Sequence, residues 1–158
     1  MIFVTVGTNQ FSFNRLIKKI DELIRDGKIK EEVVIQIGHS TYEPKHAKWF
    51  RFESYEKIKE LTSKSRIVIT HGGVGSILTA LMYKKTVIAV PRMKIFNEHV
   101  DDHQVELVKE LSKDGKIIAV FDIDKLQDAI NKKSKFSYKS TRENLVKEIK
   151  EYIHKINK

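Results

Sequence analysis

Five short runs of branched apolar residues punctuate the chain: "IFVTV" (2–6), "VVIQI" (33–37), "RIVIT" (66–70), "TVIAV" (86–90) and "KIIAVF" (116–121). Runs this short and this apolar predict strands buried on both faces. "WFRF" (49–52) predicts a sixth, shorter strand. Between the runs, 13–25, 55–64, 76–84 and 98–112 predict helices. In the first of these Phe13, Leu16, Ile17, Ile20, Leu23 and Ile24 keep a 3.6-residue beat. Strands that alternate with helices restrict the chain to one arrangement, an α/β domain whose parallel sheet is covered on both faces by right-handed crossovers.

The end of the chain departs from that alternation. Asp124 to Ile130 starts another helix, and "NKKSKFSYKS" follows as a basic linker. Ser140-Thr141-Arg142-Glu143 has the spacing of a capping box and opens a last helix. Its Leu145, Val146, Ile149, Tyr152, Ile153 and Ile156 form one apolar stripe. The expected organisation is an α/β domain over 1–132, a basic linker at 133–140 and an amphipathic helix over 141–158. That helix packs either on the domain or on a partner.

With 158 residues and no cysteine, the chain has room for one substantial core and no disulfide or thiolate metal site. No apolar run nears the roughly 18 residues of a membrane span, and the amino end lacks the features of a signal peptide. The expected location is cytosolic. Of the net charge of +9, +6 lies between Lys125 and Lys158, where ten Lys or Arg face four acids. A basic tail suits an anionic partner or a solvated helix equally. Aromatics are not interleaved with it as stacking platforms, which argues against a nucleic-acid partner.

In a parallel sheet all strand-to-helix loops emerge at one edge, where ligands bind. The loops at the opposite edge, "RDGKIKEE", "SKSR", "YKKT" and "SKDGK", are short and plain. Those at the ligand edge are "GTNQ", "GHSTYEPKH", "HGGVGS" and "PRMKIFNEHVDDHQ", and glycines, hydroxyls, histidines and Arg92 concentrate in them. In "HGGVGS", Gly72, Gly73 and Gly75 let a ligand approach the backbone, and the helix opening near Ser76 offers free N–H groups to an anion. The loop is not a P-loop, because it has no lysine, and it departs from the dinucleotide fingerprint, because Leu78 replaces the third glycine. "EHVDDHQ" places His99, Asp102, His103 and Glu106 on one helical stripe, but Val100 stands where a zinc helix needs glutamate. Short polar groups there, Glu98 among them, suit sugar hydroxyls. Asp122 and Asp124 have the spacing of a metal-binding Asp-x-Asp pair, yet their place before a helix favours an N-cap.

"TVGT", "THGGVGSILTAL" and "VIAVPR…EHVDDHQ", in that order, resemble the donor-binding domain of family 28 glycosyltransferases, over about residues 1–121. The likeness is greatest to single-domain members, among them the catalytic subunit of the two-part lipid-linked-oligosaccharide N-acetylglucosaminyltransferase and capsule or exopolysaccharide galactosyltransferase subunits. The resemblance implies a Rossmann-like fold, the C-terminal half of a GT-B enzyme. It implies a UDP-sugar as substrate with no further cofactor and no metal. The diphosphate falls to Gly72, Gly73, Gly75 and Ser76, with Gly7 and Thr8 across the cleft and Arg92 in support. The sugar falls to His103 and Gln104, with Glu98, His99 and Asp102 beside them. The acid that many relatives use for ribose is replaced by Thr79. The implied partner is a membrane-anchored, acceptor-binding subunit, which brings a lipid-linked saccharide and holds the chain at the cytosolic membrane face. The final helix would dock on that partner or on the membrane. His71 and His99 are candidate general bases, although the partner is an equal source of that group. The alternative is a non-catalytic accessory subunit.

Overall fold

The structure is a computed structural model, and it describes residues 1–132 and 141–158. The expected linker at 133–140 lies outside the described residues. Six strands form one parallel sheet: β1 (Ile2–Thr5), β2 (Val33–Gln36), β3 (Lys48–Phe50), β4 (Ile67–Thr70), β5 (Thr86–Ala89) and β6 (Ile118–Ala119), in the order β3-β2-β1-β4-β5-β6. The chain lays down strands in one direction from β1, then returns and continues on the other side. The reversal lies between β1 and β4, which pair in register from Ile2↔Ile67 to Thr5↔Thr70. A crevice outside the carboxyl ends of those two strands is where such sheets bind ligands.

Alternation along each strand sends side chains to two cores. Ile2, Val4, Ile35, Ile69 and Ile88 face one layer, with the apolar side of α1 (Asn14–Arg25) and the short α5 (Leu126–Asn131). Phe3, Val68, Val87 and Ala89 face the other. That second layer holds α2 (Tyr55–Lys64), α3 (Val74–Met82), α4 (His103–Lys113) and α6 (Arg142–Ile156).

The last helix is therefore part of the domain. Leu145 and Ile149 are buried, and Tyr152, Ile153 and Ile156 pack on the same core. Lys116, itself 9% exposed, pairs with Asp114 at 3.1 Å and with Glu148 at 3.2 Å, beneath the Tyr152 ring. Of the two settings expected for this helix, the domain or a partner, the structure shows the domain, with α3 and α4 covering the stripe. The cap also differs from the expected box: Thr141 is the N-cap, and its hydroxyl accepts from Asn144 N.

Two helix starts were misplaced by periodicity. α3 begins at Val74 rather than 76. α4 begins at His103 rather than 98, because Lys94–Phe96 forms a 3-10 turn, Asn97 takes φ 55°, and Asp101 Oδ1 accepts from His103 N. His99 and Asp102 therefore do not share a helical stripe with His103 and Glu106.

Candidate functional site

The β1–α1 and β4–α3 loops meet at the point where the strand order reverses, and His71 lies between them. A Cβ built on Gly73 would stand 2.2 Å from His71 Nε2, and one on Gly7 would stand 2.5 Å from His71 Cε1. Gly7 also has φ +75°. These glycines are required by an imidazole packed between two backbone segments. Gly72 is similarly required, since its Cβ would meet Gln104 Cβ at 2.7 Å. Gly75 differs: nothing lies within 4 Å of the position its Cβ would take.

Gly75 and Ser76 sit in the first turn of α3, where the first helical bond runs from Ile77 N to Gly73 O. The N–H groups ahead of Ile77 have no partner inside the helix, and with the helix dipole they form an anion seat. This turn opens on a cleft of about 640 Å³. Thr8 and His71 stand near the seat, Gly75, Leu78, Thr79 and Met82 form the α3 wall, and Tyr55 and Ile58 form the α2 wall. Thr79 donates its hydroxyl back to Gly75 O at 2.8 Å. Glu53, Tyr55 and Arg142 were not anticipated as lining. A lone aromatic after a strand and a cation at the start of a distant helix carry no local signal, because only the fold brings them to the cleft.

Beyond Gly72 and Gly73 lies a smaller pocket of about 230 Å³. His99, Asp101, His103 and Gln104 line it, and the last turn of α6 closes it with Ile153, Ile156 and Asn157. Gln104 Oε1 accepts from Gly72 N and from Arg92 N, both at 3.1 Å, so it ties the glycine loop to the β5–α4 loop.

Two expected contacts are corrected. Arg92 is 0% exposed, and its guanidinium donates to Val6 O, Phe11 O and Glu98 O while lying over the Phe13 ring. Burial pulls it down to about 10, so it stays charged at neutral pH, and its charge is felt at His71. Glu98 is 3% exposed and accepts from Arg15 Nε, from the other arm of the Arg15 fork and from Met93 N. Its carboxylate holds the loop in place and does not present itself to a sugar. Burial, and next the Arg92 charge, bring His71 down to about 4.

Asp102 Oδ1 accepts from Lys94 N, which closes the 3-10 turn. The Asp-x-Asp pair is likewise engaged: Asp122 caps the turn at Ile123–Lys125, as its place before a helix suggests, and Asp124 pairs with Lys19 at 2.8 Å. Among the described residues no group of three or more His, Cys, Asp or Glu is arranged to hold a metal ion.

A parallel sheet in this order, with a glycine loop and a helix start at its point of reversal, is a Rossmann-like fold, and it matches the fold of the C-terminal half of GT-B glycosyltransferases. Residues 1–156 match the model for the glycosyltransferase family 28 C-terminal domain, and the chain belongs to that family. It is 35% identical over 123 residues to the human UDP-N-acetylglucosamine transferase subunit ALG13, over 72% of this chain and 10% of the human protein. The protein of that name from Debaryomyces hansenii is 25% identical over 99 residues, 56% of this chain and 47% of the yeast protein. The chain thus spans about a tenth of the human relative and under half of the yeast one. Among solved structures, the glycotransferase of kitacinnamycin matches with a TM-score of 0.62 at 16% identity, over 97% of this chain and 39% of that one. MurG of Acinetobacter baumannii matches at 0.56 and 14%, over 98% and 48%. These two likenesses show the fold.

Proposed function

We propose that the chain is the donor-binding half of a UDP-sugar-dependent glycosyltransferase. It transfers a hexosyl or N-acetylhexosaminyl group to a polyprenyl-diphosphate-linked saccharide, and works with a membrane-anchored subunit that carries the acceptor side. The observation that carries the reading is Gly75. It is a glycine that packing does not require, in the first turn of a helix, at the mouth of a cleft large enough for a nucleotide.

In this reading the diphosphate sits on the first turn of α3. The nucleoside runs between α2 and α3 towards Tyr55 and Arg142, and the sugar turns towards His103 and the pocket behind Gly73. Negative charge that develops on the leaving diphosphate meets N–H dipoles already oriented, a contribution of several kcal/mol in a preorganised site. The donor is the substrate, and neither cofactor nor metal enters the scheme.

Two observations support N-acetylglucosamine as the sugar and a second subunit as the partner. The relatives' name includes both, and the structures that match nearly all of this chain are more than twice its matched length. Among the described residues no helix is long and apolar enough to cross a membrane. The partner would then supply attachment at the cytosolic face.

Isothermal titration with UDP, UDP-N-acetylglucosamine and UDP-galactose tests the proposal. Binding of UDP, with a preference between the two sugars, is the expected result. Absence of binding, alone and with the partner, would leave the accessory-subunit reading.

A further inference from the structure

The floor of the larger cleft carries a polar group that the fold does not use up. Gln36 ends β2 and interrupts an otherwise apolar run, in a sheet whose strands are covered on both faces. It is 5% exposed and lines the same cleft as Gly75 and Ser76.

Its amide is aimed by a short chain of hydrogen bonds. Gly7 N donates to Thr5 Oγ1 at 3.2 Å, and Thr5 donates its hydroxyl to Gln36 Oε1 at 2.6 Å. Thr5 and Gln36 are partners in register on β1 and β2, so the amide oxygen is held across the two strand ends. The amide nitrogen is left over. Among the described residues no group accepts from Gln36 Nε2. That nitrogen is not sealed in the core either, since among the described residues the fully buried side-chain polar atom without a partner is Arg92 Nε. The little surface that Gln36 keeps therefore includes its N–H groups, and it opens on the cleft.

A nearly buried amide with unused N–H groups is costly unless something accepts from it. The threonine hydroxyls in the cleft do not. Thr5, Thr62 and Thr79 have given their protons to Gln36 Oε1, Ile58 O and Gly75 O. The surfaces around the amide are largely apolar, with Phe3 and Val68 on the floor, Ile58 on the α2 wall, and Leu78 and Met82 on the α3 wall. Apolar walls with one placed N–H donor suit a planar heterocycle that carries a carbonyl on its edge.

The place of Gln36 in the sheet says which edge. β2 and β4 flank β1, and α3 with its anion seat follows β4. Neighbouring strands lie about 4.8 Å apart, so the ends of β2 and β4 are roughly 10 Å from each other. The anion seat and the Gln36 amide thus stand on opposite sides of β1. Phosphate and the outer edge of the base likewise stand at opposite ends of a nucleotide. On uracil that edge carries the O4 carbonyl, an acceptor, where cytosine carries an amino group, a donor.

We propose that Gln36 is the residue that selects the nucleobase, its amide N–H, aimed by Thr5, donating to uracil O4 and rejecting cytosine. The inference rests on the reading of the cleft as a nucleotide site, and adds the side chain that chooses the base.

Calorimetry on the full chain with UDP and CDP tests this before any variant is made. UDP should bind at least about tenfold more tightly, because cytosine sets a donor against a donor and leaves both unpaired. Gln36→Met keeps the length of the side chain and removes its N–H groups. In that variant the preference should fall to within about twofold, through weaker UDP binding with CDP little changed. Thr5→Val keeps the shape of the side chain and removes the hydroxyl that aims the amide, and should narrow the preference at least about threefold. Urea unfolding confirms that each variant is folded.

Equal affinity for UDP and CDP in the parent overturns the proposal, and so does a Gln36→Met protein that keeps the parental preference. Equal weakening of both nucleotides in Gln36→Met also overturns it, and moves Gln36 to the ribose or the diphosphate, which the two ligands share. If neither nucleotide binds, alone or with the partner subunit, the nucleotide reading of the cleft falls and this role falls with it. Firm UDP binding without a base preference removes the role of Gln36 alone.

Discussion

Gly73 and Gly75 stand two residues apart in one loop, and the molecule uses them in opposite ways. Gly73 has ordinary extended angles, φ −77° and ψ 131°, that any residue adopts. It is a glycine because the His71 ring fills the space a side chain would need. Gly75 has free space around it and is a glycine for no reason that packing supplies. A glycine-rich loop is thus two devices in sequence, a packed half that seats an imidazole and an open half that faces the cleft. The conformational argument for glycine belongs to Gly7, whose φ of +75° and contact with His71 both exclude a side chain.

The largest effect expected from this contrast is on stability, in the packed half. Gly73→Ala drives a methyl into a ring that Gly7 holds from the other side, and should cost about 3 kcal/mol in urea unfolding, at the upper end for an overpacked core. A Gly73→Ala protein as stable as the parent would dissolve the distinction between the two glycines.

Next comes the open half. Gly75→Val should weaken UDP binding about 100-fold, about 2.7 kcal/mol, while the unfolding midpoint stays near the parent value. Parental affinity in that variant would remove the first turn of α3 as the diphosphate seat.

The pH dependence of stability sharpens the account of the packed half. His71 is brought down to about 4 in the folded chain, whereas an unfolded histidine titrates near 6.5. Between those values the unfolded chain binds the extra proton, so stability is full above about pH 6.5 and declines as pH falls towards 4. At pH 5 the loss from this group should be about 2 kcal/mol relative to pH 7. His71→Gln should flatten that part of the curve, and an equal slope in parent and variant would contradict the burial argument.

The smallest effect concerns the hinge between the two pockets. Gln104→Ala removes the oxygen shared by Gly72 N and Arg92 N, and should cost about 1–2 kcal/mol of stability. It should weaken UDP and UDP-sugar together, because the loss acts through loop position. Selective loss of UDP-sugar affinity would restore Gln104 to direct sugar contact.

Apart from β3 the sheet was legible because each strand belongs to a short branched apolar run, and burial on both faces requires that pattern. The choice of edge was legible too, since polar loops gather at the carboxyl ends of the strands. The β5–α4 loop was not legible. From 98 to 112 the apolar and polar spacing fits a helix, and only the left-handed Asn97 and the Asp101 contact with His103 N delay its start. As a result Asp102 was read as part of the site, and Asp101, one residue earlier, was passed over.

Arg92 and Glu98 were misread for a related reason. A conspicuous arginine in a loop at the ligand edge reads as an anion contact, but its partners Val6 and Phe11 lie more than eighty residues back in the chain. No local pattern reveals that carbonyls of the first loop already accept from both arms of its guanidinium. The final helix is similar: an apolar stripe shows that a surface will be covered, and the fold decides by what.

Because α6 runs over α3 and α4 and ends against His103 and Gln104, the two ends of the polypeptide sit in unlike places. The amino group of Met1 pairs with Glu31 at the edge away from the cleft. Asn157, by contrast, borders the pocket behind the glycine loop. A fluorescent reporter or affinity handle joined ahead of Met1 would therefore leave the cleft unobstructed. The same handle joined after Lys158 would hang at the rim of the pocket behind the glycine loop, where a short dye label would report on ligand arrival.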